Sequence, residues 1–280
     1  MRETRGISMK LDMGRAWNSA TAMLAANKSM IAVVAGVFFF LPYLALSLLL
    51  PQTMAAAQPG DDPEQILAAL TAMYSTYWWA FLLVSVAQII GMLAILVLMS
   101  DRSRPTVGEA LSRGAKGFLP YFLSQMLAIF GLMVVLGIPI GIASAAGAPA
   151  IVALLALIAA VIGVYVMVKF SLAAPVVAAE GLMNPVAILR RSWALTKGNS
   201  LRIFGFFLLL FIAIMVVTAV VTMVLGVLFA AIGGQVELIG NGVVSSLVNA
   251  VFLLIFYAAL TAVHRQLGGP TTSEVSETFE

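Results

Sequence analysis

The sequence predicts an all-α, polytopic integral membrane protein with six transmembrane helices, and three observations carry that expectation. Of its 280 residues, 62% are hydrophobic and only 10% charged, whereas soluble domains average about 45–50% apolar and about 25% charged. Mean hydropathy is correspondingly high, at +1.08. Six charge-free runs are each long enough to cross a hydrocarbon core about 30 Å thick, which takes roughly 20 apolar residues in a helix. Every Lys and Arg lies outside those runs, and only in alternate loops. This composition excludes a disordered chain, a disulfide-stapled secreted domain and an ordinary soluble enzyme.

The six runs are Met30 to Leu50, Trp79 to Ser100, Gly117 to Pro139, Ile151 to Val168, Ile203 to Ala231 and Val243 to Val263. Gly117 to Val168 is uncharged throughout but too long for one helix. Gly137, Pro139, Gly141, Gly147 and Pro149 punctuate its middle, so it reads as two spans joined by a short turn. Segments such as Ile31 to Leu41 are apolar on every face rather than alternating, which argues against an outer-membrane barrel. The first run starts too late, near Met30, to be the apolar region of a signal peptide, although Ala55, Ala56 and Ala57 follow it. The organisation expected is a segment 1–29 with an amphipathic helix, a six-helix domain 30–264 and an acidic, unstructured tail 265–280.

Charge sets the expected orientation. Arg2, Arg5, Lys10, Arg15 and Lys28 precede span one, and Arg102, Arg104, Arg113 and Lys116 separate spans two and three. Lys169, Arg190, Arg191, Lys197 and Arg202 bracket the loop between spans four and five, and Arg265 follows span six. The other three loops carry no Lys or Arg, so the positive-inside rule predicts a multi-pass protein with both termini and the two long basic loops in the cytoplasm. The outer loop Pro51 to Trp78 carries Asp61, Asp62 and Glu64. There Asp62 is an N-cap with Pro63 in the first turn, predicting a short interfacial helix over Ile66 to Met73. Tyr74, Tyr77, Trp78 and Trp79 then mark the membrane border.

Three cytoplasmic segments share a layout, a capping residue followed by a short amphipathic pattern, beginning at Asp12, Thr106 and Asn184. Each is expected to form an interfacial helix ahead of a transmembrane hairpin, a three-fold helix-plus-hairpin repeat. In the first, Met13, Ala16, Trp17, Ala20, Met23 and Leu24 share one face. In the third, Val186, Ile188, Leu189, Trp193 and Leu195 cover one half and Arg190, Arg191 and Lys197 the other, with Gly198 as the stop. Repeats also build transporters, whose substrate sites lie at the repeat interface.

Chemistry in the spans is sparse. No Asp, Glu, Lys or Arg occupies the centre of a run, which argues against a proton-coupled pump. Gln88, Gln125 and Asn249 are the candidate intramembrane polar contacts, among Ser and Thr residues such as Ser85, Ser124, Thr218, Thr222, Ser245 and Ser246. Interhelical hydrogen bonds of this kind contribute about 0.6 kcal/mol each. Gly137 and Gly141 form a small-xxx-small pair and predict close packing near the outer end of span three. There are no cysteines and one histidine, His264, at the inner end of span six. A thiol site, a His-based metal cluster and a Ser-His-Asp arrangement are therefore unsupported, and His264 is expected at the interface. No cofactor, metal or nucleic-acid partner is indicated. Arg190, Arg191, Trp193, Lys197 and Arg202 are the candidate contacts for a lipid headgroup or partner, since each basic residue near an anionic surface contributes about 1 kcal/mol.

The segment from Ala174 to Asn199, APVVAAEGLMNPVAILRRSWALTKGN, contains Pro175, Glu180, Asn184, Pro185, Ser192, Trp193, Leu195, Thr196, Lys197 and Gly198. It resembles the bacterial membrane family related to the membrane domain of glycerophosphoryl diester phosphodiesterases and to the YciC-type inner-membrane proteins, closely over residues 170 to 205 and loosely over the six-span layout. The resemblance implies the membrane module without its catalytic domain, and no catalytic residue carries over. The function expected is non-enzymatic association with membrane lipids, anionic ones among them, through the basic helices. The alternative is a transporter or flippase for an amphipathic or lipidic substrate; a partner protein or a second copy stays open.

Overall fold

Inside a bilayer every backbone N–H and C=O must be satisfied within the protein, which leaves long apolar runs only the helix or the closed barrel. The computed structural model describes residues 10–49, 62–100, 103 and 105–268, and within them every regular element is helical. The first span is built from α2 (Lys28–Ala35), a π-helical turn (Gly36–Phe40) and α3 (Leu41–Leu49), preceded by α1 (Met13–Ala26). Then come α4 (Pro63–Ser100), α5 (Val107–Leu132), a second π turn (Met133–Gly137), α6 (Ile138–Ala145) and α7 (Pro149–Phe170). Two short helices, α8 (Ala173–Glu180) and α9 (Pro185–Thr196), lead to the closing hairpin of α10 (Ser200–Ile232) and α11 (Gly234–Gly268). Six segments are long and apolar enough to cross a membrane, as the composition predicts. Arg2, Arg5, Asp61, Arg102, Arg104, the Ala55 to Ala57 stretch and the tail beyond Gly268 lie outside the described residues.

The local reasons are legible. Both π turns lie just ahead of a proline: the carbonyl four residues before Pro42 belongs to Phe38, and that before Pro139 to Val135. Each falls inside its π turn, where the widened helix relieves the clash. The uncharged run from Gly117 does divide as expected, at Ala146 to Ala148, with Gly147 at φ +65° and Pro149 opening α7. Gly233 alone joins α10 to α11, at φ +71°. The expected caps form: the Asp12 carboxylate accepts from the Arg15 amide at 2.9 Å, and the Asn184 side chain accepts from Val186 and Ala187 at 3.0 and 3.1 Å. Thr106 and Glu109 make a reciprocal capping box.

Several expectations need correction. Asp62 caps as predicted, and the helix it opens is set off from the span by a kink at Tyr77, which leaves helical geometry at φ −109°, ψ 15°; α4 is thus two helices meeting at that residue, the outer one longer than the Ile66 to Met73 expected. The helix capped by Thr106, by contrast, continues directly into span three across Pro120, so the middle unit has no distinct interfacial helix. A continuous helix avoids two sets of orphaned end groups. Gly137 and Gly141 do not mediate close packing: nothing lies within 4 Å of where their Cβ atoms would be.

Close packing occurs elsewhere. The buried core gathers at the basic end, where Met92 to Met99 of α4 and Tyr257 to His264 of α11 are buried on all faces. Helices apolar all round belong in such a position. α1, α5, α8, α9 and the start of α10 wrap this pair, while α5, α7 and α10 expose large apolar side chains along their outer lengths. A Cβ at Gly114 of α5 would lie 2.8 Å from the Ile90 carbonyl oxygen and 3.1 Å from the Ala94 nitrogen of α4. A Cβ at Gly117 would meet Val177 of α8 at 2.8 Å. By contrast, the space beside Gly131 on the same helix is open. Gly114→Ala should therefore lower stability by about 1–2 kcal/mol, the overpacking outweighing the helix-propensity gain, while Gly131→Ala is neutral or stabilising. Denaturant titration of the two variants in detergent checks this.

Candidate functional site: a polar knot and two cavities

The polar side chains of the basic end form three sets of contacts. α8 ends at Glu180 because Gly181 takes φ +67°, a C-terminal cap that needs glycine. The Glu180 carboxylate faces two helices. Its Oε1 lies 2.9 Å from Nε2 of His264 on α11, and Arg191 Nε of α9 donates to Oε2 at 2.8 Å and to Oε1 at 3.1 Å. Glu180 is 19% exposed and His264 8%. Both partners favour the ionised carboxylate, and the bonds are charge-assisted. His264, expected at the interface, is instead buried, because α11 runs through the centre of the wrap and the acid it meets comes from α8.

A second set joins α7 to α9. The last carbonyls of a helix have no partner within it; that of Lys169 accepts from Ser192 Oγ at 2.8 Å, with Thr196 Oγ1 at 3.4 Å. The Lys169 side chain is almost fully buried, with Nζ 5.4 Å from the Tyr165 ring centre and 5.2 Å from that of Trp193. Such cation–π contacts contribute about 0.5–2 kcal/mol each. Lys169 has no acidic partner among the described residues.

A third set clamps the chain entering α1. The Leu11 amide donates to buried Asn199 Oδ1 at 2.9 Å, and Arg202 reaches the Leu11 carbonyl at 3.5 Å. The Gln266 side-chain amide closes on Asp12 in both directions, accepting from its N–H at 2.9 Å and donating to its carbonyl at 3.2 Å.

These contacts sort the predicted headgroup residues. Arg190 and Trp193 are exposed on α9, and Lys197, in extended conformation directly after the helix, is exposed beside them in sequence. Arg191 is turned inward to Glu180 and does not join them, and Arg202, though exposed, leans towards Leu11. The predicted halves of α9 are thus rotated: Ile188, Leu189, Ser192, Leu195 and Thr196 are buried, while Val186 and Trp193 are exposed. The hydroxyls point inward because the Lys169 carbonyl needs them. On α1, Ala16, Ala20 and Met23 are buried as expected but Trp17 is exposed.

The three intramembrane candidates do not converge. Gln125 lines a cavity of about 570 Å³ between α5, α7, α10 and α11. Gln88 and Asn249, both half-buried, line neither this cavity nor a second of about 410 Å³ between α10, α11 and Trp17. Among the described residues, the buried side-chain atoms without a hydrogen-bond partner are Gln125 Oε1, Asn249 Nδ2 and Ser100 Oγ. Sequence reasoning missed the Glu180–His264 pairing and the Lys169 cage. One signal was present: Glu180 is the only acid between Glu109 and Glu237, set among Lys169, Arg190 and Arg191.

Replacing Glu180 by Gln should cost about 1–2 kcal/mol, below the figure for a fully buried pair because Arg191 is 39% exposed. Adding Arg191→Gln to it should cost less than the two single losses together, since the residues share one contact. Unfolding of the single and double variants in detergent measures both.

No curated protein and no solved structure matches the chain. A family model does, described as Domain of unknown function (DUF7847), over residues 15–267. That match takes in Lys169, Glu180, Arg191 and His264 with all six spans, and by it the chain belongs to the DUF7847 family.

Proposed function

We propose that the protein is a non-enzymatic, six-span protein of the bacterial inner membrane that associates with anionic lipid through its basic end. The observation that carries this reading is the Lys169 ammonium, buried without an acidic partner beneath the exposed Trp193 ring. Arg190 stands one turn before Trp193 on α9, and Lys197 follows directly after the helix; both are exposed. An unpaired buried cation with exposed cations around it has the electrostatics of a phosphate contact, and an interfacial Trp positions the helix at headgroup level. The one histidine supports the non-enzymatic side: its Nε2 is held by Glu180, leaving that nitrogen engaged in structure. In this reading the basic end faces the cytoplasm, on the strength of the partition of Lys and Arg among the loops. The resemblance of residues 170 to 205 to phosphodiesterase membrane domains and YciC-type proteins fits the same class, a membrane module acting beside lipid. A transporter or flippase for an amphipathic substrate is the second reading, favoured by the side-opening cavity at Gln125.

Two experiments test the first reading. Replacing Arg190 and Lys197 by Gln, and leaving Arg191 in its pair, removes about 2 kcal/mol of headgroup attraction. Native mass spectrometry from mixed nanodiscs should then show the preference for anionic over neutral lipid falling roughly thirtyfold; an unchanged ratio refutes the reading. For orientation, the cysteine-free chain allows single cysteines at Gly60, Ser112 and Thr272. They are expected to label from outside, inside and inside, and any other pattern overturns the topology.

A further inference from the structure

The cavity between α5, α7, α10 and α11 has features that the exposed cations at α9 do not explain. Its volume, about 570 Å³, falls within the roughly 300–1,000 Å³ of small-molecule sites. Ile129, Met167 and Phe211 form part of its wall and are themselves more than 45% exposed on the apolar flank of the bundle, so it opens sideways towards hydrocarbon. No Asp, Glu, Lys, Arg or His lines it. A charged group placed there would lose its hydration without a partner, so the occupant's buried part is uncharged.

The wall is nevertheless not purely apolar. Tyr121 and Gln125, one turn apart on α5, both line it, and Gln125 Oε1, closed off from the cavity space in this rotamer, has no hydrogen-bond partner, so the amide turns to present it to an occupant. Leaving such an atom unpaired costs about 1–3 kcal/mol, which a plain hydrocarbon occupant does nothing to recover. Rotation about the last side-chain bond exchanges the amide oxygen and nitrogen at one position. The group that suits either orientation is one that donates and accepts together, a hydroxyl.

We propose that this cavity binds one uncharged, hydroxyl-bearing alkyl amphiphile, its chain along the wall at Gly163 and Phe211 and its hydroxyl on the Gln125 amide. The chemistry is shared by a long-chain alcohol and a monoacylglycerol. It goes beyond association with anionic headgroups, since it involves no charge and lies away from the cations at α9.

The test uses the full chain in neutral detergent, with hexadecanol, monopalmitoylglycerol, methyl palmitate and palmitate each titrated and read by native mass spectrometry and thermal shift. One molecule of alcohol or glyceride should bind, about tenfold more tightly than the methyl ester, which lacks the hydroxyl, and more tightly than palmitate, which is charged. Whichever of the alcohol and the glyceride binds more tightly identifies the source of the hydroxyl. Gly163→Phe fills the cavity, where nothing lies within 4 Å of a new Cβ, and should abolish binding. Gln125→Leu should raise the melting temperature of the free protein and bring the alcohol down to the affinity of the ester. It therefore serves as the test even if Gly163→Phe does not fold. Equal binding of alcohol and ester to the native chain, tighter binding of palmitate, or an unaltered alcohol preference in Gln125→Leu overturns the proposal. Anionic-lipid retention is scored in the same spectra, so this site and the cations at α9 succeed or fail separately.

Discussion

The carboxylate of Glu180 joins three helices that lipid alone would not hold together. In water, apolar faces drive helices into contact, but in hydrocarbon the surroundings are as apolar as the helices, and association rests on close packing and polar bonds. α8 brings Glu180 to His264 of α11 and Arg191 of α9, bonding partners 84 and 11 residues away in sequence. With α9 held there, Ser192 and Thr196 reach the open carbonyl of Lys169, and Trp193 comes to rest over its ammonium. The chain entering α1 is closed against the same end by Asn199 and Gln266. One anion thus positions the cage, the exposed side of α9 and the start of α10.

The distribution of packing follows. α4 and α11 are buried on all faces only near the knot, where Gly114 and Gly117 let α4, α5 and α8 approach at backbone distance. Further along, α5, α7 and α10 carry many exposed aliphatic and aromatic side chains, although Gly240 of α11 still lets Phe229 of α10 approach closely. A bundle tied at one end and loose along its length leaves gaps between helices, and the larger gap holds the unpaired amide of Gln125. The same arrangement separates two kinds of surface: a cationic face at the tied end and a recess lined by no charged side chain.

Much of this was legible in the residues. Hydropathy set the six spans, and capping residues at Asp12, Thr106 and Asn184 marked real helix starts. Gly147 and Pro149 marked the turn in the long uncharged run. Where helices continue was harder to see, since caps announce starts but say little about whether a following span is a separate element; α5 absorbed a predicted interfacial helix, whereas in α4 a kink at Tyr77 sets the outer helix off. Facing was harder still. A moment places apolar residues inward, yet α9 turns Ser192 and Thr196 inward to satisfy a carbonyl of another helix and leaves Trp193 exposed. That need arises only once α7 ends beside α9, a fact of tertiary structure. Similarly, Gly137 and Gly141 have the spacing of a packing motif but no neighbour to pack against, while Gly114 and Gly117 do the packing. Glu180 was the visible exception, a lone acid in a basic stretch, whose partner His264 could be named only from the fold.

The claim that one anion holds the basic end together is tested most directly by hydrogen exchange of the Glu180→Gln protein in lipid nanodiscs. If Glu180 is the tie, amides of α9 and of the last turns of α11 should exchange at least tenfold faster than in the native chain, while the middle of the α10–α11 hairpin is unchanged. Native protection of α9 in the variant, or a uniform rise across all six spans, would contradict it.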